Sequence, residues 1–232
     1  MGLSISSKDY SCEFDAKLNL TDLEDSDGEE TTIDDDVLAK LKNAVIDEMQ
    51  EQSIQKMYDI RFDLESKRII IPMRNRFGQL IGVKGRILKD EDDDRKYLYL
   101  YPFQNRYEWF NFHIAHPYIL SEKKVFIFEA EKSCMKMATH GIFNTLSIGS
   151  SDISPEQVEI IKQLGLDITI ILCYDSDRTP EEIYEQAKKF KNRHVYATYD
   201  TLSLLGEKDS PIDRGIDVFN KLLENCCFEV KV

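Results

Sequence analysis

The chain has 232 residues, 42% hydrophobic and 31% charged, with a formal net charge of −13 at pH 7. That length buries a substantial core, and no apolar run approaches the roughly 20 residues of a bilayer-spanning helix, which excludes a membrane span. The N-terminus lacks a secretory pattern, and Cys12, Cys134, Cys173, Cys226 and Cys227 show neither CxxC knuckles nor disulfide-dense spacing. A cytoplasmic protein with reduced thiols and no zinc ribbon is expected.

The charge is unevenly spread. Residues 1–36 hold twelve Asp or Glu against Lys8 and Lys17, a local net of −10 that leaves −3 for the other 196 residues. Residues 1–35 lack a core-forming period, which predicts an acidic disordered tail or linker. Asp34, Asp35 and Asp36 then offer N-cap acids to a helix from Val37 to about Gln52, with Val37, Leu41, Val45 and Met49 at helical spacing. From Lys67 to Lys89 the sign reverses, with seven basic residues (Lys67, Arg68, Arg74, Arg76, Lys84, Arg86 and Lys89) and no acid. This stretch reads as a hairpin, Ile69 to Met73 and Gln79 to Arg86, joined through Arg74-Asn75-Arg76-Phe77-Gly78, with Asn and Gly where a turn demands them. Gly82 and Gly85 mark a bulge or a close approach. Such a basic ribbon is either a solvated face or a surface for a polyanion.

Glu91 to Asp94 form an exposed loop before the extended run Lys96-Tyr97-Leu98-Tyr99-Leu100. Phe112 to Leu120 reads as a short helix interrupted at His116-Pro117. His113 and His116 have a ligand-like spacing, but without a third ligand nearby packing or surface roles are favoured. After Ser121 the order is strand (125–128), helix (130–139), strand (142–148), helix (154–164), strand (168–174), helix (179–191), strand (194–198) and a C-terminal helix (214–232). This alternation implies a parallel sheet with right-handed crossovers. Ser154-Pro155-Glu156-Gln157 combines an N-cap, a proline at the first helical position and a capping glutamine.

Three apolar segments lead into carboxylates. Val125 to Phe128 runs into Glu129-Ala130-Glu131, and Ile168 to Tyr174 runs into Asp175-Ser176-Asp177. His194 to Thr198 is followed by Glu207 to Asp213, which includes Asp209. In parallel sheets the site forms beyond the carboxyl ends of the strands, and magnesium takes a few carboxylate oxygens together with water and phosphate. A single acid there is more often a cap or turn residue. Three segments ending alike point to metal-dependent phosphoryl transfer.

These residues, in this order, resemble the RNA polymerase core of bacterial-type DNA primases, including its Toprim module. Ile71 to Arg86 is similar to the family's basic, glycine-bearing hairpin, Lys96-Tyr97-Leu98 to the lysine-containing stretch after it, and Trp109 to Ala115 to the lead into the module. Phe128-Glu129-Ala130-Glu131-Lys132 resembles the first acidic motif, Thr145 to Ser151 the middle strand and loop, and Cys173-Tyr174-Asp175-Ser176-Asp177-Arg178 the double-aspartate motif. Lys208-Asp209 to Asp213 resembles the trailing acidic motif. The likeness runs from about Tyr58 to Asp213. Ala130 stands where the family usually has glycine, and the longer trailing motif leaves Asp209 and Asp213 as alternatives. The second basic element is reduced to Arg106 beside Gln104 and Asn105. The family's zinc-binding domain has no counterpart and little follows residue 225, so an isolated core or a short, phage-type primase is expected.

The resemblance implies an α/β fold, a Toprim parallel-sheet module (121–213) preceded by a smaller basic α+β subdomain (36–120). It implies template-directed synthesis of short RNA primers from NTPs on single-stranded DNA, in the cytoplasm of a bacterium or phage-infected host. Glu129, Asp175 and Asp177 are the implied catalytic residues. With Asp209 and Asp213 they are expected to hold two or more Mg2+ or Mn2+ ions. Arg74, Arg76, Lys84, Arg86, Lys96 and Arg178 are expected to hold template or NTP. A replicative helicase or other replication protein is the implied partner, with no membrane and no zinc. A Toprim nuclease or topoisomerase would use the same acids, although a topoisomerase needs a tyrosine on a separate gate domain. A non-catalytic replication module is the third reading.

Overall fold

The computed structural model describes residues 52–64, 66–87, 97–101 and 105–231. The expected acidic tail, all but the last residue of the helix expected over 37–52, the loop expected at 91–94, and Lys89 and Lys96 lie outside the described residues. The chain divides into two compact units, Met1–Met73 with Leu80–Phe103, and Arg74–Gln79 with Gln104–Val232.

In the first unit a short helix, α1 (Gln52–Met57), precedes four strands: β1 (Arg61–Asp63), β2 (Arg68–Arg74), β3 (Leu80–Ile87) and β4 (Tyr97–Tyr101). They form one sheet in the order β1-β2-β3-β4. β2 is buried from Arg68 to Met73, as its unbroken isoleucine run requires. β3 and β4 are antiparallel, and their register shifts between Val83 and Lys84. Gly85 sits at a close approach: a Cβ there would lie 3.0 Å from Arg68 Cδ and 3.1 Å from Leu100 Cδ1, so those side chains would have to shift to admit one.

The second unit begins with α2 (Phe112–Glu122) and then alternates. Its strands are β5 (Lys124–Phe128), β6 (Thr145–Ser147), β7 (Thr169–Cys173), β8 (Val195–Thr198) and β9 (Cys227–Glu229), and its later helices are α3 (Glu131–Thr139), α4 (Pro155–Lys162), α5 (Pro180–Ala187) and α6 (Ile216–Asn225). The sheet order is β6-β5-β7-β8-β9. β5, β6, β7 and β8 pair in parallel, and β9 is antiparallel to β8. The core packs Val125, Ile127, Leu146, Ile170 and Leu172 of the strands against Ile160 and Ile161 of α4 and Ile183 of α5. α4 and α5 both start with a complete capping box and a proline in the first turn, at Ser154 and Thr179.

Four expectations need correction. The division falls near Gln104 rather than at residue 120, because Trp109, Phe112, Ala115 and Ile119 belong to the second core and Phe110 bridges to Ser147. α2 runs unbroken through Pro117. Its buried face of Phe112, Ala115 and Ile119 outweighs the backbone hydrogen bond that proline cannot make. The strand expected over 142–148 is limited to Thr145–Ser147. Finally, the C-terminal segment is not all helix. α6 ends at Asn225, and β9 then covers the edge of β8, with Val230 N–H bonded to the Val195 carbonyl at 2.8 Å.

Candidate active site

β5 and β7 are neighbours with Phe128 opposite Cys173, so the acids following each strand emerge side by side at the carboxyl end of the sheet. The Asp175 N–H donates to Glu129 Oε1 at 3.3 Å. Arg178 grips the same carboxylate with two groups, Nε to Oε1 at 3.2 Å and Nη2 to Oε2 at 3.3 Å. Its Nη2 also donates to the Ser151 carbonyl at 3.1 Å, tying the loop after β6 to the loop after β7. Ala130, the N-cap of α3, has φ −104° and ψ 147°. That extended conformation is open to any residue, so alanine in place of glycine brings no backbone strain.

The trailing acids face different partners. Asp213 is clamped by Lys132 at 2.9 Å and Lys136 at 3.0 Å, and accepts the Ser210 N–H at 3.0 Å. Burial pushes its carboxyl up, but the bonds and charges of the two lysines outweigh that and hold it below the usual range. Asp209 turns its carboxylate to Arg214, which lowers its pKa, and to the Gly206 N–H at 2.8 Å. Its carbonyl braces the Asp175–Asp177 turn by accepting the Ser176 N–H at 2.9 Å. Asp177 is exposed.

Asp175 differs from all of these. Its Oδ1 is buried and has no hydrogen-bond partner. Burial pushes its carboxyl up to about 7, with the charges of Glu129, Asp213 and Asp177 adding to the shift and Lys132 opposing it. Among the described residues, no group of three or more His, Cys, Asp or Glu side chains is placed to hold a metal ion. The donor chemistry nonetheless fits a hard divalent cation, because an unpartnered buried carboxylate oxygen beside a second carboxylate is the environment such an ion relieves. The structure thus brings Glu129, Asp175 and Arg178 together directly and Asp213 within reach of their charge.

Sequence reasoning missed Lys132 and Lys136 as members of this cluster. Their i,i+4 spacing just after Glu129 was the available signal.

The basic residues are less free than the ribbon suggested. In the second unit, Arg74 Nη1 donates to the Gly78 carbonyl at 3.1 Å, and Arg76 binds the Glu108 carboxylate through Nε at 3.2 Å and its backbone N–H at 3.1 Å. In the first unit Lys84 is buried, with its ammonium 4.6 Å from the centre of the Tyr97 ring, and the Arg86 guanidinium lies 6.0 Å from the same ring. Arg106 pairs with Glu156. The two histidines pack. His116 stacks on Phe112 at 5.4 Å, and burial, aided by the Arg74 charge, pushes His113 down to about 4.

The fold is that of bacterial DNA primase catalytic cores. It superposes on the zinc-binding and RNA polymerase domains of the Aquifex aeolicus primase with a TM-score of 0.66 and 17% identity, covering 97% of this chain and 68% of that one. In sequence, the chain is 29% identical over 191 residues to the SPbeta prophage-derived protein YorJ of Bacillus subtilis (strain 168), a match covering 70% of this chain and 50% of YorJ. It is 25% identical over 150 residues to the DNA primase of Lactococcus lactis subsp. lactis (strain IL1403), covering 63% of this chain and 21% of that primase. The chain therefore spans about half the length of the first relative and about a fifth of the second. No family model matches it. No helix among the described residues is long and apolar enough to cross a membrane.

Proposed function

We propose that this chain is a primase-type nucleotidyltransferase that makes short RNA from NTPs on a single-stranded DNA template. The observation that carries the reading is Asp175, whose buried oxygen lies unpartnered beside Glu129 at the carboxyl end of a primase-type sheet. Glu129, Asp175 and Asp177 are the cation donors in this reading, and Asp213 is the trailing acid whose charge reaches Asp175. Bound Mg2+ or Mn2+ would lower the pKa of the attacking 3′ hydroxyl and neutralise phosphate charge. Arg178 keeps Glu129 oriented, and Lys132 and Lys136 do the same for Asp213. Arg74, Arg76, Lys84, Arg86 and Lys96 supply positive charge for template or NTP in this reading. A replicative helicase or another replication protein is the partner class that fits such an enzyme.

The test is incubation with single-stranded DNA, labelled NTPs and Mg2+ or Mn2+. Oligoribonucleotides are expected, and their synthesis should disappear in a folded Asp175→Asn variant. DNA breaks without synthesis would replace this reading with a Toprim nuclease. Neither product would leave a non-catalytic replication module.

A further inference from the structure

Phe77 is the most exposed large hydrophobic side chain among the described residues, at 78%. It occupies the tip of a tightly braced turn. The Asn75 carbonyl accepts the Gly78 N–H at 2.9 Å, and Gly78 takes the left-handed conformation, φ 80°, that closes a three-residue hairpin loop. Asn75 Oδ1 accepts the N–H groups of Phe77 and Gln79, both at 3.0 Å, and Asn75 Nδ2 donates to Gln79 Oε1 at 2.9 Å. The cations on either side hold the turn itself, Arg74 on the Gly78 carbonyl and Arg76 on Glu108. What the turn adds to the charge of its two arginines is the exposed ring.

A rigid, exposed aromatic ring loses little conformational freedom when a flat partner covers it. The partner's chemistry follows from the neighbours of the ring in its own unit. Arg74 and Arg76 flank it within the turn, and this pair of cations favours a polyanion with unstacked π faces over an apolar protein patch. We propose that Phe77 is a base-stacking contact for single-stranded nucleic acid. This contact rests on the nucleic-acid reading above and adds to it a site that charge alone would not supply. Stacking tolerates any base, and it releases no counterions.

The full chain, a labelled thymine homopolymer and fluorescence anisotropy test it. Phe77→Ala should weaken binding about five- to a hundredfold, the range for losing one base–aromatic stack. The slope of log affinity against log salt should stay unchanged, because no phosphate contact is lost. The melting temperature should also hold, since the ring is exposed. A second variant reads the contact directly. The chain's one tryptophan, Trp109, is fully buried with Nε1 bonded to the Gln157 carbonyl at 2.8 Å. The exposed indole added by Phe77→Trp should therefore give new emission that the oligonucleotide quenches. Wild-type affinity in Phe77→Ala, or unquenched emission at saturating DNA, would overturn the proposal and leave the ring as a contact for a protein partner. No binding by the wild-type chain would overturn the primase reading, and this contact with it.

Discussion

In the four-stranded sheet one of the buried cations, Lys84, lies over an aromatic ring, 4.6 Å from the centre of Tyr97. At the carboxyl end of the five-stranded sheet, Lys132, Lys136 and Arg178 instead close on carboxylates at 2.9, 3.0 and 3.2 Å. Both arrangements answer the same problem, since a charge removed from water needs a compensating partner. They differ in what can replace the partner. A π face accepts a cation over a broad range of geometry and offers nothing to a metal ion. A carboxylate held by an ammonium or guanidinium group can exchange that group for another cation. In the proposed function the acid cluster is where a cation would enter, and the unpartnered buried oxygen of Asp175 is the position it would take.

The largest expected effect comes from breaking the clamp. Asp213→Ala leaves two half-buried ammonium groups facing each other, at a cost of about 2–4 kcal/mol. Urea unfolding followed by Trp109 emission measures this, and a loss below about 1 kcal/mol would mean the lysines find water instead.

Asp175 should respond in the opposite direction. Its folded-state pKa of about 7 is raised above the ordinary carboxylate value, so the folded protein keeps a proton that the unfolded chain releases above about 4. The stability from that proton is complete below about pH 4 and is lost as pH rises through 7. Asn cannot ionise, so Asp175→Asn should raise the melting temperature at pH 8 by a few degrees and leave it nearly unchanged at pH 4. His113 acts the other way, because its lowered pKa costs stability as pH falls from 6.5 toward 4. Comparing variant with wild type at each pH cancels that contribution. Equal melting temperatures at pH 8 would show that Asp175 is already compensated.

The smallest effect belongs to the other sheet. Lys84→Met keeps the stem's packing and loses the contacts with the Tyr97 and Tyr99 rings, whose share is about 0.5–1 kcal/mol. A cost near that of Asp213→Ala would mean Lys84 depends on a carboxylate rather than on Tyr97.

Much of the second unit was legible because its strands are short apolar runs that end abruptly on acids. Val125 to Phe128 before Glu129, and Ile170 to Cys173 before Asp175, fix both the direction of the chain and where the acids emerge. The Asn75–Gly78 turn was equally clear, since its residue types answer backbone needs. What sequence hid were outcomes settled by distant contacts. Pro117 reads as a break, yet burial of one helical face overrides it. Residues 226–230 contain no helix breaker, and only the unpaired edge of β8 turns them into a strand. Lys132 and Lys136 look like solvated helix residues until Asp213 arrives from 81 and 77 positions further along. Lys84 reads as a surface cation because nothing local announces the Tyr97 ring above it.

The twin capping boxes of α4 and α5 bear on how the site can move. The Asp175–Arg178 loop is fixed at one end by β7 and at the other by Thr179, whose hydroxyl and partner Glu182 lock the first turn of α5. Ser154 and Gln157 anchor the end of the Ser151 loop in the same way, and Gln157 Nε2 also donates to the Glu108 and Ile148 carbonyls at 2.9 and 3.2 Å. With both loops tethered at each end, the slow swing of a lid is not the motion this geometry favours. Rearrangement would fall to the Arg178, Lys132 and Lys136 side chains, which can exchange one partner for another without moving the backbone. A cation arriving at the acids would then meet a site whose backbone is already in place.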